Sequence, residues 1–90
     1  MNNSKAITIT YTNYRGETAE RKIIPIEVWF GKTEWHPEEQ WFLKAHDIEK
    51  DAERDFALTD ISEITSASWR RTVYKILLLY SLQASMIAKH

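Results

Sequence analysis

Cysteine is absent from this chain of 90 residues, and glycine and proline occur only twice each. The lack of cysteine excludes disulfide bonds, thiolate catalysis and cysteine-based zinc sites, so packing or association must stabilise the fold. With 43% hydrophobic residues and so little glycine and proline, the composition also excludes a disordered or low-complexity chain. A chain of this length buries one modest core, which predicts a single globular unit.

The start of the sequence is also poor in apolar residues. Residues 1–5 carry no apolar run and lead directly into a strand pattern, which predicts a cytoplasmic rather than a secreted protein. The most apolar stretch lies near the C-terminus, but Lys75 and Gln83 interrupt it before it reaches the roughly twenty apolar residues of a membrane span. The sequence therefore predicts no association with membranes.

The sequence has no recognisable catalytic set. It contains no glycine-rich phosphate loop, no convincing Ser-His-Asp arrangement and no carboxylate pair whose spacing forces proximity. His36 with Glu38 and Glu39 resembles part of a metal site, but Pro37 followed by two glutamates is as readily the first turn of a short helix. We therefore predict a protein that is not an enzyme and that holds no metal or cofactor.

Charge is distributed unevenly along the chain. Residues 1–65 carry eight Lys and Arg against thirteen Asp and Glu, whereas residues 66–90 carry four basic residues and no acid. An acidic body is a poor non-specific binder of nucleic acid, because phosphate binding draws its affinity from clustered Lys and Arg. Any site for an anion must therefore be local.

Strand periodicity extends over residues 6–64. Ile7, Ile9 and Tyr11 alternate with threonines, and Gly16 marks a turn into a second strand from about Glu20. That second strand ends at about Phe30, and Pro25 within it favours a sheet edge or a bulge, because proline cannot donate to a strand ladder. The alternation places Ile24, Ile26 and Val28 on one face of it.

Residues 40–47 and 54–61 form the pair of strands around which the sheet is built. Trp41, Leu43 and Ala45 share one face of the first strand. The six-residue connector is polar and too short for a parallel crossover, so the pair predicts an antiparallel hairpin. We expect a strongly bent antiparallel sheet of four or five strands. Its predicted core consists of Ile7, Ile9, Ile24, Ile26, Val28, Leu43, Phe56 and Leu58.

A C-terminal helix from about Ser68 to about Ala88 follows from apolar residues that recur at helical spacing. The fold class is therefore mainly β with one C-terminal α-helix, divided into residues 1–65 and residues 66–90. Because the helix is apolar almost all round, it requires cover on more than one side. We predict that Leu78, Leu82 and Met86 are buried between chains, either in a homo-oligomer or against a partner protein.

The run Trp41-Phe42-Leu43 through Asp47, followed by Arg54-Asp55-Phe56 through Ile61, resembles a WYL domain. Tyr11, Arg21 and Pro25 precede it in the expected order, and the resemblance spans about residues 6–64. Phe42 takes the place of the family's tyrosine, and Asp60 stands where an arginine is frequent. The resemblance implies a small Sm-like, SH3-type β-barrel that senses ligands in bacterial transcription regulators and phage-defence systems. The ligands so implied are nucleotides or short single-stranded nucleic acids.

Five residues are candidates for binding such a ligand. Arg54 shares a face with Phe56 and Leu58 and could hold a phosphate at the barrel mouth, although an ion pair with a nearby acid is the alternative. Lys44 and His46 share a face with Phe42, which could provide charge beside an aromatic platform, or simply a solvated surface. Trp41, like Trp29 and Trp35, could stack on a base or belong to the core.

Two functions of different class remain open at this point. The first is a regulatory module that binds a nucleotide or a short oligonucleotide. The second is a structural interaction module that dimerises or holds a partner through its helix and binds no small ligand.

Overall fold

A computed structural model describes residues 5–88, and the side chains of residues 5–81. The elements are β1 (Ile7–Thr12), β2 (Thr18–Gly31), β3 (Gln40–Asp47), β4 (Ala52–Ala57), a 3₁₀ turn (Leu58–Asp60), β5 (Ile61–Ile64) and α1 (Ala67–Ala88). The mainly β fold with a C-terminal helix is confirmed.

The five strands form one antiparallel sheet in the order β4-β3-β2-β1-β5. Successive strands from β1 to β4 are joined as hairpins, whereas β5 returns to pair with β1. Within the described residues, β4 and β5 are the two edges and are not paired with each other. The sheet is therefore open, and the closed barrel that the family resemblance implies is not confirmed.

The short connection between the two edge strands requires the sheet to bend. Only the 3₁₀ turn separates Ala57, the end of β4, from Ile61, the start of β5. Four consecutive Cα steps span at most about 15 Å, whereas the edges of a flat five-stranded sheet lie about 19 Å apart. The two edges must therefore approach each other at this corner.

A bulge in β2 changes which of its residues face the core. Pro25 pairs with Ala45 and Glu27 pairs with Lys44, so Ile26 is an extra residue without a partner on β3. The extra residue shifts the alternation, so Ile23 is buried before the bulge and Val28 packs against the core after it.

Because of this bulge, the prediction that Ile24 and Ile26 belong to the core is wrong. The side chain of Ile26 is 49% exposed, and Ile24 is only half-buried and lies outside the core cluster. Ile9, Leu43, Phe56 and Leu58 are buried as predicted, while Ile7 and Val28 are half-buried and pack against them. The cluster of fully buried hydrophobic residues also includes Tyr11, Ile23, Ala45, Ile61, Ile64 and Val73.

Helix α1 covers the sheet with one face. Ser66 caps the helix, since its Oγ accepts a hydrogen bond of 3.3 Å from the backbone N–H of Trp69. Val73 is fully buried, and Trp69, Ile76 and Leu77 are half-buried against the core. Among the described residues no helix is long and apolar enough to span a membrane.

The turn between β3 and β4 is held by a buried carboxylate. Asp47 is fully buried, and its Oδ1 accepts a hydrogen bond of 3.3 Å from the backbone N–H of Lys50. Asp51 then adopts a positive φ of 48°, which its short polar side chain tolerates better than most. The turn brings Asp51 Oδ1 to 3.1 Å from His46 Nε2.

Candidate ligand-binding site

A pocket of about 480 Å³ opens between the β1–β2 turn, the β2–β3 loop and the edge strand β4. Its lining combines aromatic rings with one guanidinium and two carboxylates. The lining residues are Tyr11, Asn13, Tyr14, Thr33, Trp35, His36, Glu53, Arg54 and Asp55.

Two aromatic rings from different loops stack at the pocket. The ring centroids of Tyr14 and Trp35 lie 5.1 Å apart with an angle of 20° between the planes, and each side chain is 61% exposed. The guanidinium carbon of Arg15 lies 5.5 Å from the centre of the Tyr14 ring. The pocket therefore has a solvent-accessible aromatic wall of the kind on which a planar ring can stack.

Backbone hydrogen bonds hold the loops that carry these rings. Asn13 Oδ1 accepts hydrogen bonds from the backbone N–H groups of Arg15 and Glu17, at 2.9 and 3.0 Å. Gly16 adopts a φ of 79° in this turn, which glycine does without strain. In the other loop, the backbone N–H groups of Thr33 and His36 each donate to the carbonyl of the other residue, at 3.0 and 3.2 Å. The aromatic pair thus rests on two structured turns.

Arg54 lies on β4 on the same face as Phe56, as the alternation predicts, and it lines the pocket. Its side chain is exposed. In the part of the chain that the structure describes, the one contact within 4.0 Å between a basic and an acidic side chain joins His46 and Asp51, so no carboxylate pairs with the Arg54 guanidinium there. The ion pair that was the alternative role for Arg54 is therefore not formed among the described residues.

Tyr11 is a buried residue that lines the pocket together with Arg54. Its ring meets that of Phe56 edge-on, with centroids 4.9 Å apart. Burial raises the pKa of the Tyr11 hydroxyl above its ordinary value, and the negative charge of Asp60 raises it further. The backbone of Ala57 and the positive charges of Arg54 and of Arg21 on β2 oppose this rise in pKa. Tyr11 therefore remains a neutral hydroxyl in the pocket lining.

Phe42 does not provide the exposed platform that the sequence predicts. It is fully buried beneath Trp29, with ring centroids 4.9 Å apart, and the His36 ring contacts it edge-on at 5.6 Å. Trp29 Nε1 in turn donates a hydrogen bond of 2.7 Å to Asp55 Oδ1. These residues form a small cluster on the face of the sheet opposite the main core, and two of them, His36 and Asp55, also line the pocket.

The other predicted binding residues lie apart from Arg54. Lys44 and His46 project from the opposite face of the sheet, where their partners on β4 are Asp55 and Glu53. Trp41 is half-buried, packs against the core and meets Phe30 edge-on at 5.4 Å. Of the five predicted residues, only Arg54 lines the pocket.

Tyr14 and His36 are two of the lining residues that the sequence prediction missed as binding residues. Both belong to loops, where no periodicity indicates the direction of a side chain. Their neighbours Asn13 and Pro37 mark these stretches as turns, but only the folded chain shows that the two turns meet.

Replacing Gly31 by alanine should disturb the cluster in which Trp29 packs on Phe42 and donates a hydrogen bond to Asp55. A Cβ at position 31 would lie 2.5 Å from Cζ3 of Trp29, so the indole must move away from its hydrogen bond to Asp55. We expect the free energy of unfolding to fall by about 1–3 kcal/mol, as for other overpacked sites. Urea unfolding followed by tryptophan fluorescence measures the change. Lys32→Ala, at the exposed neighbouring position, is the control, and equal stability of the two variants would contradict the prediction.

The sequence model of the WYL domain family matches residues 1–66, which is most of the 90-residue chain. This chain belongs to the WYL domain family. The match covers all five strands of the WYL sheet and every residue that lines its pocket, and it ends at Ser66, the cap of α1. Searches of the curated proteins and of the solved structures gave no match.

Proposed function

We propose that this WYL domain is a non-catalytic regulatory module that senses a nucleotide or a short single-stranded nucleic acid. The observation that carries the proposal is that Arg54 and the stacked Tyr14–Trp35 pair line one pocket. A guanidinium binds phosphate oxygens in a planar, bidentate geometry, and exposed aromatic rings bind bases by stacking. The pocket thus offers both groups that a nucleotide requires.

The energetics of these two contacts favour a ligand that uses both. Stacking of one base on an aromatic side chain contributes about 1–3 kcal/mol, and a hydrogen bond to a charged group contributes about 1.5–3 kcal/mol. Residues 1–65 carry more acidic than basic side chains, so they do not attract polyanions in general. Binding of the ligand therefore depends on the local arrangement of groups around Arg54. The proposed site therefore recognises a compact ligand rather than an extended duplex.

The proposal includes the Sm-like, SH3-type architecture of the sheet. It is supported by the 3₁₀ turn that carries the chain from β4 at one edge to β5 at the other. The pocket lies beside the end of the sheet where the β1–β2 turn and the β2–β3 loop meet.

Isothermal titration calorimetry with a panel of probes tests the ligand-sensing function. The panel consists of the four nucleoside monophosphates, cyclic dinucleotides and short single-stranded DNA and RNA. We expect saturable binding of at least one probe, with an affinity that falls as salt rises, because the contact with Arg54 is electrostatic. If none of these probes produces binding heat, the proposed ligand-sensing function is contradicted.

Exposed apolar residues on α1 favour a second function, that of an interaction module. Leu78 is 61% exposed, and Leu79 and Tyr74 are also exposed on the same helix. Leu78 is one of the three predicted interface residues, whereas the side chains of Leu82 and Met86 lie outside the described residues. We propose that this surface of α1 forms an interface in which Leu78 is buried, either against a second copy of the chain or against a partner protein.

Light scattering tests the homo-oligomer directly. We expect the measured mass to exceed that of one chain at high concentration and Leu78→Glu to return it to one chain, because a carboxylate at this surface must be desolvated on association. Thr72→Glu, at an exposed polar position of α1, is the control and should leave the mass unchanged. A mass of one chain at every concentration would refute self-association of this surface.

A further inference from the structure

The charged residues of the pocket are consecutive in sequence. Glu53, Arg54 and Asp55 all line it, and Arg54 is the one Lys or Arg among the lining residues. Consecutive residues of a strand point to opposite faces, so a pocket that contacts all three must wrap around the strand. This is possible because β4 lies at the edge of the sheet, where no further strand blocks access from the side.

The two carboxylates are held in different ways. Asp55 is half-buried, and its Oδ1 accepts the 2.7 Å hydrogen bond from Trp29 Nε1, which fixes its position. Glu53 is exposed and is the cross-strand neighbour of His46. A ligand phosphate bound to Arg54 therefore shares the pocket with two carboxylates, of which Asp55 is fixed by its hydrogen bond and Glu53 is exposed. Carboxylate oxygens can only accept hydrogen bonds, so they favour ligand groups that donate.

We propose that this pocket selects ligands with a single phosphate and disfavours nucleoside diphosphates and triphosphates. The inference rests on the proposed function and specifies its ligand class: a nucleoside monophosphate or a phosphodiester between two nucleosides. Arg54 neutralises one phosphate, while Glu53 and Asp55 accept hydrogen bonds from amino or hydroxyl groups of the same ligand. Each further phosphate adds negative charge beside two carboxylates, and Arg15, which lies over the Tyr14 ring, is not among the lining residues.

The selectivity can be measured by titrating the protein with mono-, di- and triphosphates of each ribonucleoside, without magnesium, and with dinucleoside monophosphates. We expect the tightest single-phosphate ligand to bind at least about tenfold more tightly than its triphosphate, since the two carboxylates repel the added phosphates. Equal or tighter binding of the triphosphate would overturn the selectivity but leave the ligand-sensing function standing. If no nucleotide, dinucleotide or oligonucleotide binds, the proposed function itself fails and the inference fails with it.

A pair of matched variants assigns the selectivity to the carboxylates. Glu53→Gln removes a pocket charge while keeping the size of the side chain, so the monophosphate to triphosphate affinity ratio should fall severalfold. Glu63→Gln removes a charge from the exposed face of β5, outside the pocket lining, and should leave the ratio unchanged. Identical ratios in the wild type and both variants would refute the role of the carboxylates.

Discussion

Replacing Leu43 by alanine should lower the free energy of unfolding by about 2–5 kcal/mol. Leu43 is fully buried near the middle of β3, where it lies between Val28 of β2 and Phe56 of β4 in the sheet register. Truncation removes buried apolar surface and leaves a cavity that the neighbouring strands, fixed by their hydrogen bonds, can close only in part. Urea unfolding monitored by circular dichroism gives the change in free energy.

An alanine substitution of an exposed apolar residue provides the control for Leu43. Ile26 is 49% exposed on β2 and lies outside the proposed α1 interface, so Ile26→Ala should change the free energy of unfolding by less than about 1 kcal/mol. If the two variants lost equal stability, Leu43 would not occupy the centre of the core.

Replacing Arg54 by alanine should weaken binding of the ligand by about ten- to a hundredfold, which corresponds to loss of a charge-assisted hydrogen bond of about 1.5–3 kcal/mol. The side chain is exposed and, within the described residues, forms no ion pair, so the variant should retain the fold. Arg54→Lys should restore only part of the affinity, because an ammonium group keeps the charge but lacks the planar fork. Calorimetry with the tightest-binding probe measures the dissociation constants of the wild type, Arg54→Ala and Arg54→Lys.

Arg71→Ala is the matched control for the binding experiment. Arg71 is an exposed arginine on α1, outside the pocket lining, and its loss changes net charge by the same amount. A general electrostatic effect would weaken binding equally in both variants, whereas a local contact affects only Arg54. Binding that survives Arg54→Ala unchanged would place the ligand elsewhere.

The strands could be predicted from the sequence because alternation is a strong signal in this chain. Ile9 and Tyr11 of β1 and Leu43 and Ala45 of β3 are buried as their spacing indicates. Two errors remain: the predicted strand 54–61 is broken by the 3₁₀ turn at Leu58–Asp60, and in β2 Ile26 is the extra residue of a bulge. Pro25 indicates that an irregularity is present, but periodicity alone does not show which residue it inserts or which face it moves to the core.

The site was harder to predict because alternation assigns a face without showing what covers it. Phe42 lies opposite Leu43 on β3 as expected, yet Trp29 and His36 cover its ring and bury it. Arg54 was identified because strand spacing fixes its direction. The contact between Tyr14 and Trp35 joins two loops, with the two residues 21 positions apart in sequence, and no local pattern encodes it.

The most direct test of the proposed site uses the four tryptophans as reporters. Each indole N–H gives one signal in a proton–nitrogen NMR spectrum, and tryptophan-to-phenylalanine variants assign the signals. Trp35 lines the pocket, whereas Trp69 lies at the start of α1 in a separate hollow beside Pro25. On titration with the tightest nucleotide probe, the Trp35 signal should shift most and the Trp69 signal should stay in place. A shift confined to Trp69, with Trp35 unmoved at saturation, would contradict ligand binding in this pocket.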